Sequence, residues 1–312
     1  MAVLNVDNML YETVNCNLCG SNEYRLYRKI RNTTPIDLKC WNVVECKHCG
    51  LRFTNPRLTI KEITKLYHEC NVPTKHLTTI HRVILFLRKI KISLTRKIDN
   101  NLGNSILDVG CGEGIFLANH KAKSYDVYGL DLNEHLAQAV YEECGIKVFV
   151  GELSDIKDIP KKFHHITMYH SLEHSYDPSQ DIKTAYKLLH DDGKIYIEVP
   201  NSNSIDVRWK IFKDYSVSWS LPFHTFHFTE ASLSALLEKS GFRITKVKYP
   251  VFLPHAYSCA LIRSVKENIN PEMETFFLIA LFPFTFWLSL FSSFFKKSAY
   301  LYVEAVKNNK NG

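Results

Sequence analysis

The period of the apolar positions changes along the chain. As far as about position 56, apolar residues come in short strand-like runs, such as 41–45, among Cys, Asn and Arg. Thr59-Ile-Lys-Glu62 then has the pattern of a capping box, and Ile60, Ile63, Leu66 and Tyr67 follow at helical spacing. A second helix is predicted over 79–98. Ile80, Val83, Ile84, Leu87, Ile90 and Leu94 form its apolar stripe, and Arg82, Arg88, Lys89, Lys91, Arg96 and Lys97 occupy its other positions.

Beyond Gly103 the pattern alternates between strand and helix. Runs at 105–109, 127–130, 147–150, 166–169 and 194–199 read as strands. Helices are expected at 115–120, at 133–144 with Gly145 as its C-cap, and at 180–190 before the turn Asp191-Asp192-Gly193. A further helix is capped by Thr229, carries Leu233, Leu236 and Leu237, and ends at Gly241. Repeated strand–helix units predict an α/β, Rossmann-like fold with helices on both faces of a mainly parallel sheet.

A length of 312 residues allows one large domain plus something smaller, and 46% hydrophobic with 23% charged residues excludes a globally disordered chain. The formal net charge of +7 favours an anionic partner without choosing among phosphate-bearing substrates, membrane surfaces and nucleic acid. Positions 1–15 lack a basic stretch followed by an apolar core, so an intracellular, cytoplasmic protein is expected. In that setting the nine cysteines point to metal before disulfides. Cys16-Asn-Leu-Cys19-Gly20 and Cys46-Lys-His-Cys49-Gly50 are two C-x-x-C knuckles. Four thiolates would close a tetrahedral zinc site with no open position, hence a structural one.

Ile106-Leu-Asp-Val-Gly-Cys-Gly-Glu-Gly114 carries the most specific chemistry. An apolar strand runs into glycines at alternate positions, Gly110, Gly112 and Gly114, and then into a helix, so a ligand can lie directly on the main chain. The spacing differs from the G-x-G-x-x-G of dinucleotide sites. Asp108, at the strand end, would repel a pyrophosphate but suit an amino or sulfonium group. Asp131 ends the next strand, where it can accept hydrogen bonds from both ribose hydroxyls. These residues resemble the cofactor motifs of class I S-adenosylmethionine (SAM)-dependent methyltransferases. The resemblance implies a seven-stranded sheet and a SAM site built from Asp108, Gly110, Cys111, Gly112, Gly114 and Asp131. It also implies that Leu132 and Glu152 contact adenine and that His170-Ser-Leu-Glu-His174 closes over the methionine end. Together with the two Cys-x-x-Cys-Gly knuckles and Pro56-Arg57, the chain resembles bacterial zinc-ribbon methyltransferases, many of which act on sugars in nucleotide-sugar and surface-polysaccharide pathways.

That resemblance implies a glycan or nucleotide-sugar acceptor. Pro222-Phe-His-Thr-Phe-His-Phe-Thr229 resembles the family's acceptor-facing segment and makes His224 the candidate general base, with His174 as a second catalytic residue. Phe223 stands where the carbon-methylating branch often has Glu, so oxygen methylation is at least as well supported. A plainer reading makes His224 and His227 packing residues. Positions 276–295 form an uncharged apolar stretch bounded by Glu272, Glu274 and Lys296-Lys297. Positions 298–306 alternate like a strand, and if 300–306 returns to the sheet, both ends of the stretch lie on one side and a single membrane crossing is excluded. The stretch is expected to lie at the cytoplasmic membrane face or dip in and return, with Pro283 as a break; a buried hairpin or dimer interface is the alternative. The expected domains are 1–58 (zinc ribbon), 59–100 (helical linker), 101–262 (SAM domain), 263–298 (apolar insertion) and 299–312 (final strand and tail). Two other functions fit less well. An RNA methyltransferase would suit the zinc module and charge, but the N/D-P-P-Y segment is missing and nucleic acid is the disfavoured partner. An inactive SAM-fold membrane adaptor conflicts with the intact loop and Asp131.

Overall fold

A computed structural model describes residues 9–31, 40–70, 92, 95–156, 159, 161–212, 214–216, 218–251, 254–265 and 271–308. Most of the helix expected over 79–98 lies outside these residues.

The N-terminal part holds β1 (Tyr11–Glu12), β2 (Tyr24–Arg31), β3 (Cys40–Cys46), β4 (Arg52–Thr54), β5 (Arg57–Leu58) and α1 (Ile60–Cys70). The capping box expected at α1 does not form: the Thr59 hydroxyl is buried without a partner, and Glu62 pairs instead with Lys65 at 2.9 Å. Then follow β6 (Ser105–Val109), α2 (Ile115–Lys121), β7 (Asp126–Asp131), α3 (Glu134–Cys144), β8 (Val148–Val150), β9 (Phe163–Tyr169), α4 (Pro178–Leu188) and β10 (Leu189–Pro200). The chain ends with β11 (Phe226–His227), α5 (Glu230–Lys239), β12 (Phe242–Lys248), α6 (Pro254–Val265), α7 (Pro271–Phe294) and β13 (Tyr300–Lys307).

Seven strands form one sheet in the order β12-β13-β10-β9-β6-β7-β8. The five from β10 to β8 run parallel, whereas β13 is antiparallel to both β10 and β12. The strand order reverses at β6, since β7 lies on one side of it and β9 on the other. Such a reversal opens a crevice at the carboxyl ends of the strands, where α/β sheets bind ligands. All five residues of β6 are buried, as a strand covered by helices on both faces requires.

Local chemistry sets the helix ends. Asn133 caps α3 by accepting from the His135 and Leu136 N–H groups, and Gly145 closes it at φ 61°. Thr229 and Ser232 form a reciprocal capping box at α5. The helix expected at 180–190 begins earlier, because Asp177 caps it and Pro178 fills its first turn. The turn expected at 191–193 is an irregularity within β10, whose register shifts between Leu189 and Lys194. The break expected at Pro283 is absent; α7 continues through it.

The cysteine module is welded to the sheet. β11 pairs with β4 to complete the four-stranded sheet β11-β4-β3-β2, so residues following β10 finish a layer begun near the N-terminus. Cys16, Leu18, Val44, Leu51 and Phe53 share one core with Leu107, Ile166 and Ile197 of the large sheet. Asn17 donates to the Asp177 carboxylate at 2.8 Å and accepts from the Ser179 N–H at 2.8 Å. Phe53 is fully buried against Tyr24 and Phe226. Phe53→Ala therefore costs about 3–5 kcal/mol and lowers one calorimetric transition for the whole chain; a separate low-temperature transition would contradict the shared core.

Candidate active site

A crevice of about 260 Å³ opens at the carboxyl ends of β6, β7 and β9. Its floor is the glycine turn. Gly110 and Gly114 adopt φ of 74° and 66°, the left-handed region in which a side chain is strained. Space reinforces that demand, since a Cβ on Gly110 would lie 2.4 Å from the Ser171 Cβ and one on Gly114 2.8 Å from Val140. Asp131 pins the turn: its Oδ2 accepts the Gly112 N–H at 2.8 Å and its Oδ1 accepts the Asn133 N–H at 2.9 Å.

Of the residues expected to hold SAM, Gly110, Asp131, Leu132, Glu152 and His170 line the crevice, and so does His174. Asp108 does not reach it. Its carboxyl is buried beneath the turn, accepts the Thr167 hydroxyl at 2.6 Å and is pushed up to about 6 by that burial, so it braces the turn from below. The side chain of Cys111 points into the core with Phe116, Leu117 and Val140, leaving only its main chain for the turn. Gly112 contributes its N–H to Asp131, and Gly114 caps α2.

Glu152 is a second acid lining the crevice. Its Oε1 is buried without a hydrogen-bond partner. Burial, reinforced by Asp181 and Asp155, raises its pKa to about 7. An orphaned buried carboxyl oxygen facing a crevice calls for a ligand donor, and an adenine amino group or a ribose hydroxyl supplies one.

Histidines gather around Glu173 beside the crevice. His170 holds a left-handed φ of 57°, and its imidazole lies 3.0 Å from Glu198 and 3.6 Å from Glu173. Burial opposes its charge, but the two carboxylates prevail and raise its pKa to about 9. Burial likewise opposes ionisation of Glu173, yet His170, His174 and His224 pull its pKa down to about 2. His174 Nδ1 lies 2.9 Å from the Tyr67 hydroxyl and 3.1 Å from the Phe223 carbonyl, and burial lowers its pKa. His224 stands edge-on behind it, with ring centres 4.7 Å apart, and its Nδ1 donates to the Ser218 carbonyl at 3.2 Å. Burial, then the neighbouring His174, push His224 down to about 3. His224, the first choice for a base from sequence, is thus the inner member of the pair, and His174 faces the crevice. His227 is held by Thr54 and Ser218, the packing role of the plainer reading. Tyr67 was legible only as one position of the α1 stripe; nothing in its sequence context signals the contact with His174.

The four knuckle cysteines converge 33 and 27 residues apart, with sulfur distances of 3.4 Å for Cys16–Cys49 and 3.5 Å for Cys19–Cys46. All four sulfurs lie within 4.8 Å of one another. A tetrahedral thiolate site with ~2.3 Å bonds has edges of ~3.8 Å, so the cluster fits a metal of that geometry.

Residues 80–247, more than half of the chain, match the family described as "Methyltransferase domain". The chain belongs to that family of methyltransferase domains. It is similar to the ubiquinone biosynthesis O-methyltransferase of Pseudomonas putida (strain W619), with 31% identity over 107 residues, 32% of this chain and 46% of that protein. The protein of the same description from Pseudomonas fluorescens (strain SBW25) is 29% identical over 110 residues, covering 33% and 47%. The chain thus spans about half the length of the curated relatives it matches. Among solved structures it is similar to a SAM-dependent methyltransferase from Archaeoglobus fulgidus, at 18% identity and a TM-score of 0.49, covering 71% of this chain and 94% of that one. A possible histamine N-methyltransferase from Thermotoga maritima has 15% identity and a TM-score of 0.47, with coverage of 72% and 89%.

Asp131→Ala removes the acceptor that pins the Gly112 N–H. SAM affinity measured by calorimetry is expected to fall at least ~10-fold, the scale of one charge-assisted hydrogen bond; unchanged affinity would place the cofactor elsewhere.

Proposed function

We propose that the chain transfers a methyl group to a hydroxyl of a sugar, nucleotide-sugar or lipid-linked glycan, with His174 as the crevice-facing base and His224 and Tyr67 holding it. The observation that carries this reading is the cluster of Glu173, His174 and His224, whose potential ligand or base atoms lie within 4.8 Å of one another beside the crevice that includes Gly110 and Asp131. SAM, when bound, supplies an electrophilic methyl on a sulfonium. Asp131 would hold its ribose, Glu152 the adenine end, and the glycine turn its amino-acid portion. A displacement of this kind needs an aligned acceptor oxygen that loses its proton as it attacks.

The charges suit that task. His174 is neutral because it is buried, so it can take a proton. Glu173 beside it stays ionised and stabilises the imidazolium that proton transfer creates. His170, held protonated by Glu173 and Glu198, cannot be the base and serves to orient Glu173. Phe223 in place of a carboxylate supports oxygen over carbon as the methylated atom, and so do the O-methyltransferase relatives. The ubiquinone-biosynthesis relatives also support a second reading, in which the acceptor is a hydroxyl of a ubiquinone-pathway intermediate.

We read the four-cysteine cluster as a structural zinc site that fixes the module against the sheet. Elemental analysis is expected to give one zinc per chain, and stripping it with a strong chelator should lower the melting temperature of the entire chain. A metal-free chain of undiminished stability would sink this assignment.

His174→Ala is expected to lower kcat by about 10²–10⁴-fold while SAM binding persists, with methylated product followed by mass spectrometry on sugar acceptors. Because burial places the His174 pKa below that of an ordinary histidine, its unprotonated form persists as pH falls. The rate should therefore stay level through about pH 6.5 and decline only below it. A fall centred at or above that pH would exclude His174 as the base.

A further inference from the structure

The helix pair α6–α7 is built inside out. Among the described residues, Phe276–Phe294 is a 19-residue stretch of mean hydropathy 1.8, of which only 22% is buried. A helix of that composition in a water-soluble core would be mostly covered. Here its large side chains face outward: Phe276, Ile279, Phe284, Trp287, Phe291 and Phe294 are all exposed, Trp287 by 68% and Phe294 by 82%.

The polar residues do the reverse. Thr285, Ser289 and Ser292 are fully buried, and with Leu288 they form the stripe of α7 that meets α6. Ser258 of α6 bonds to Thr285 at 2.8 Å, and the Tyr257 hydroxyl donates to Ser292 at 3.4 Å. Thr285 also donates to the Leu281 and Phe282 carbonyls within its own helix. Hydroxyls and small residues between helices, with aromatics outside, minimise free energy where the surroundings are hydrocarbon.

The feet of the pair fix its orientation. Ser293 donates to the Tyr249 carbonyl at 2.5 Å and Ser298 to that of Pro250, tying the end of α7 to the end of β12. The Ile205 N–H donates to the Lys297 carbonyl at 2.9 Å, which brings up the segment carrying Arg208, Trp209, Lys210 and Ile211. Trp209 and Ile211 are exposed beside Arg208 and Lys210, and Lys296 and Lys297 add two more cations. An aromatic and basic fringe of this kind suits the headgroup region of an anionic leaflet. The far end of α7 carries Glu272 and Glu274, which cannot enter the hydrocarbon centre without a large cost. α7 alone, at ~36 Å, could cross a ~30 Å hydrocarbon core, but its partner α6 has twelve residues and extends only ~18 Å. An upright pair would strand the connection between them in hydrocarbon, whereas a pair lying along the surface keeps both ends of α7 among headgroups.

We propose that α6–α7 docks in the plane of an anionic lipid bilayer, with the Phe276–Phe294 face in the acyl boundary and both ends of α7 among headgroups. This goes beyond the acceptor reading and does not depend on it. Full-length protein is tested by flotation with vesicles of equal parts phosphatidylcholine and phosphatidylglycerol, against Phe284→Ser combined with Trp287→Ser. The wild type is expected to float, Trp287 emission to shift to the blue and to be quenched by brominated acyl chains, and the variant to bind at least ~10-fold less. SAM affinity, unchanged in the variant, shows that it is folded. Should the variant misfold, quenching of the wild type by brominated chains decides alone. Wild type that stays at the bottom of the gradient overturns the proposal, as does a folded variant that floats equally well. A soluble dimer that the substitutions convert to monomer, with no flotation, assigns the face to a second copy instead.

Discussion

The bond from the Gly112 N–H to the Asp131 carboxylate is the constraint on which the site depends. It joins the tips of two adjacent parallel strands at the point where the sheet order reverses, and so holds the glycine turn open. Everything that would touch SAM is placed relative to that junction. Gly110 abuts Ser171 from the β9 side, Leu132 follows Asp131 directly, and Glu152 comes from the end of β8. Asp108, whose motif implies contact with the ligand, instead supports the turn from the buried side through Thr167.

Around Glu173, burial alone would suppress every charge. Instead one carboxylate, Glu173, remains ionised beside the His170 cation. His170 is held protonated by two carboxylates, whereas His174 and His224 remain neutral. One sequence segment, 170–174, thus yields a fixed cation, a fixed anion and a neutral base within five positions. The segment is anchored from outside the large sheet: the Thr225 N–H donates to the Glu173 carbonyl at 2.9 Å, and Tyr67 of α1 meets His174. The cysteine module contributes by seating β4 against β11, which directly follows the Thr225 that anchors this loop.

Much of this was legible in sequence because it rests on local chemistry. Alternation of period gave five strands of the large sheet, Asn133 and Gly145 marked the ends of α3, and the G-x-G-x-G turn with Asp131 located the crevice. What stayed hidden was long-range. The pairing of β11 with β4 joins residues about 170 positions apart, and no periodicity in either two- or three-residue strand announces it. Tyr67 looked like one more core position, and only the fold brings it to His174. The motif makes His224 the candidate base, but depth of burial, which a motif does not encode, leaves His174 at the crevice. Pro283 was expected to break the apolar stretch, yet helix α7 runs through it.

A crystal structure of the chain with S-adenosylhomocysteine tests the central claim most directly. The account requires both ribose hydroxyls on Asp131, the adenine end toward Glu152, and the sulfur directed at the wall formed by His170 and His174. A nucleoside bound away from the strand reversal at β6, or a turn at 110–114 that rearranges so that Asp131 no longer holds Gly112, would contradict it.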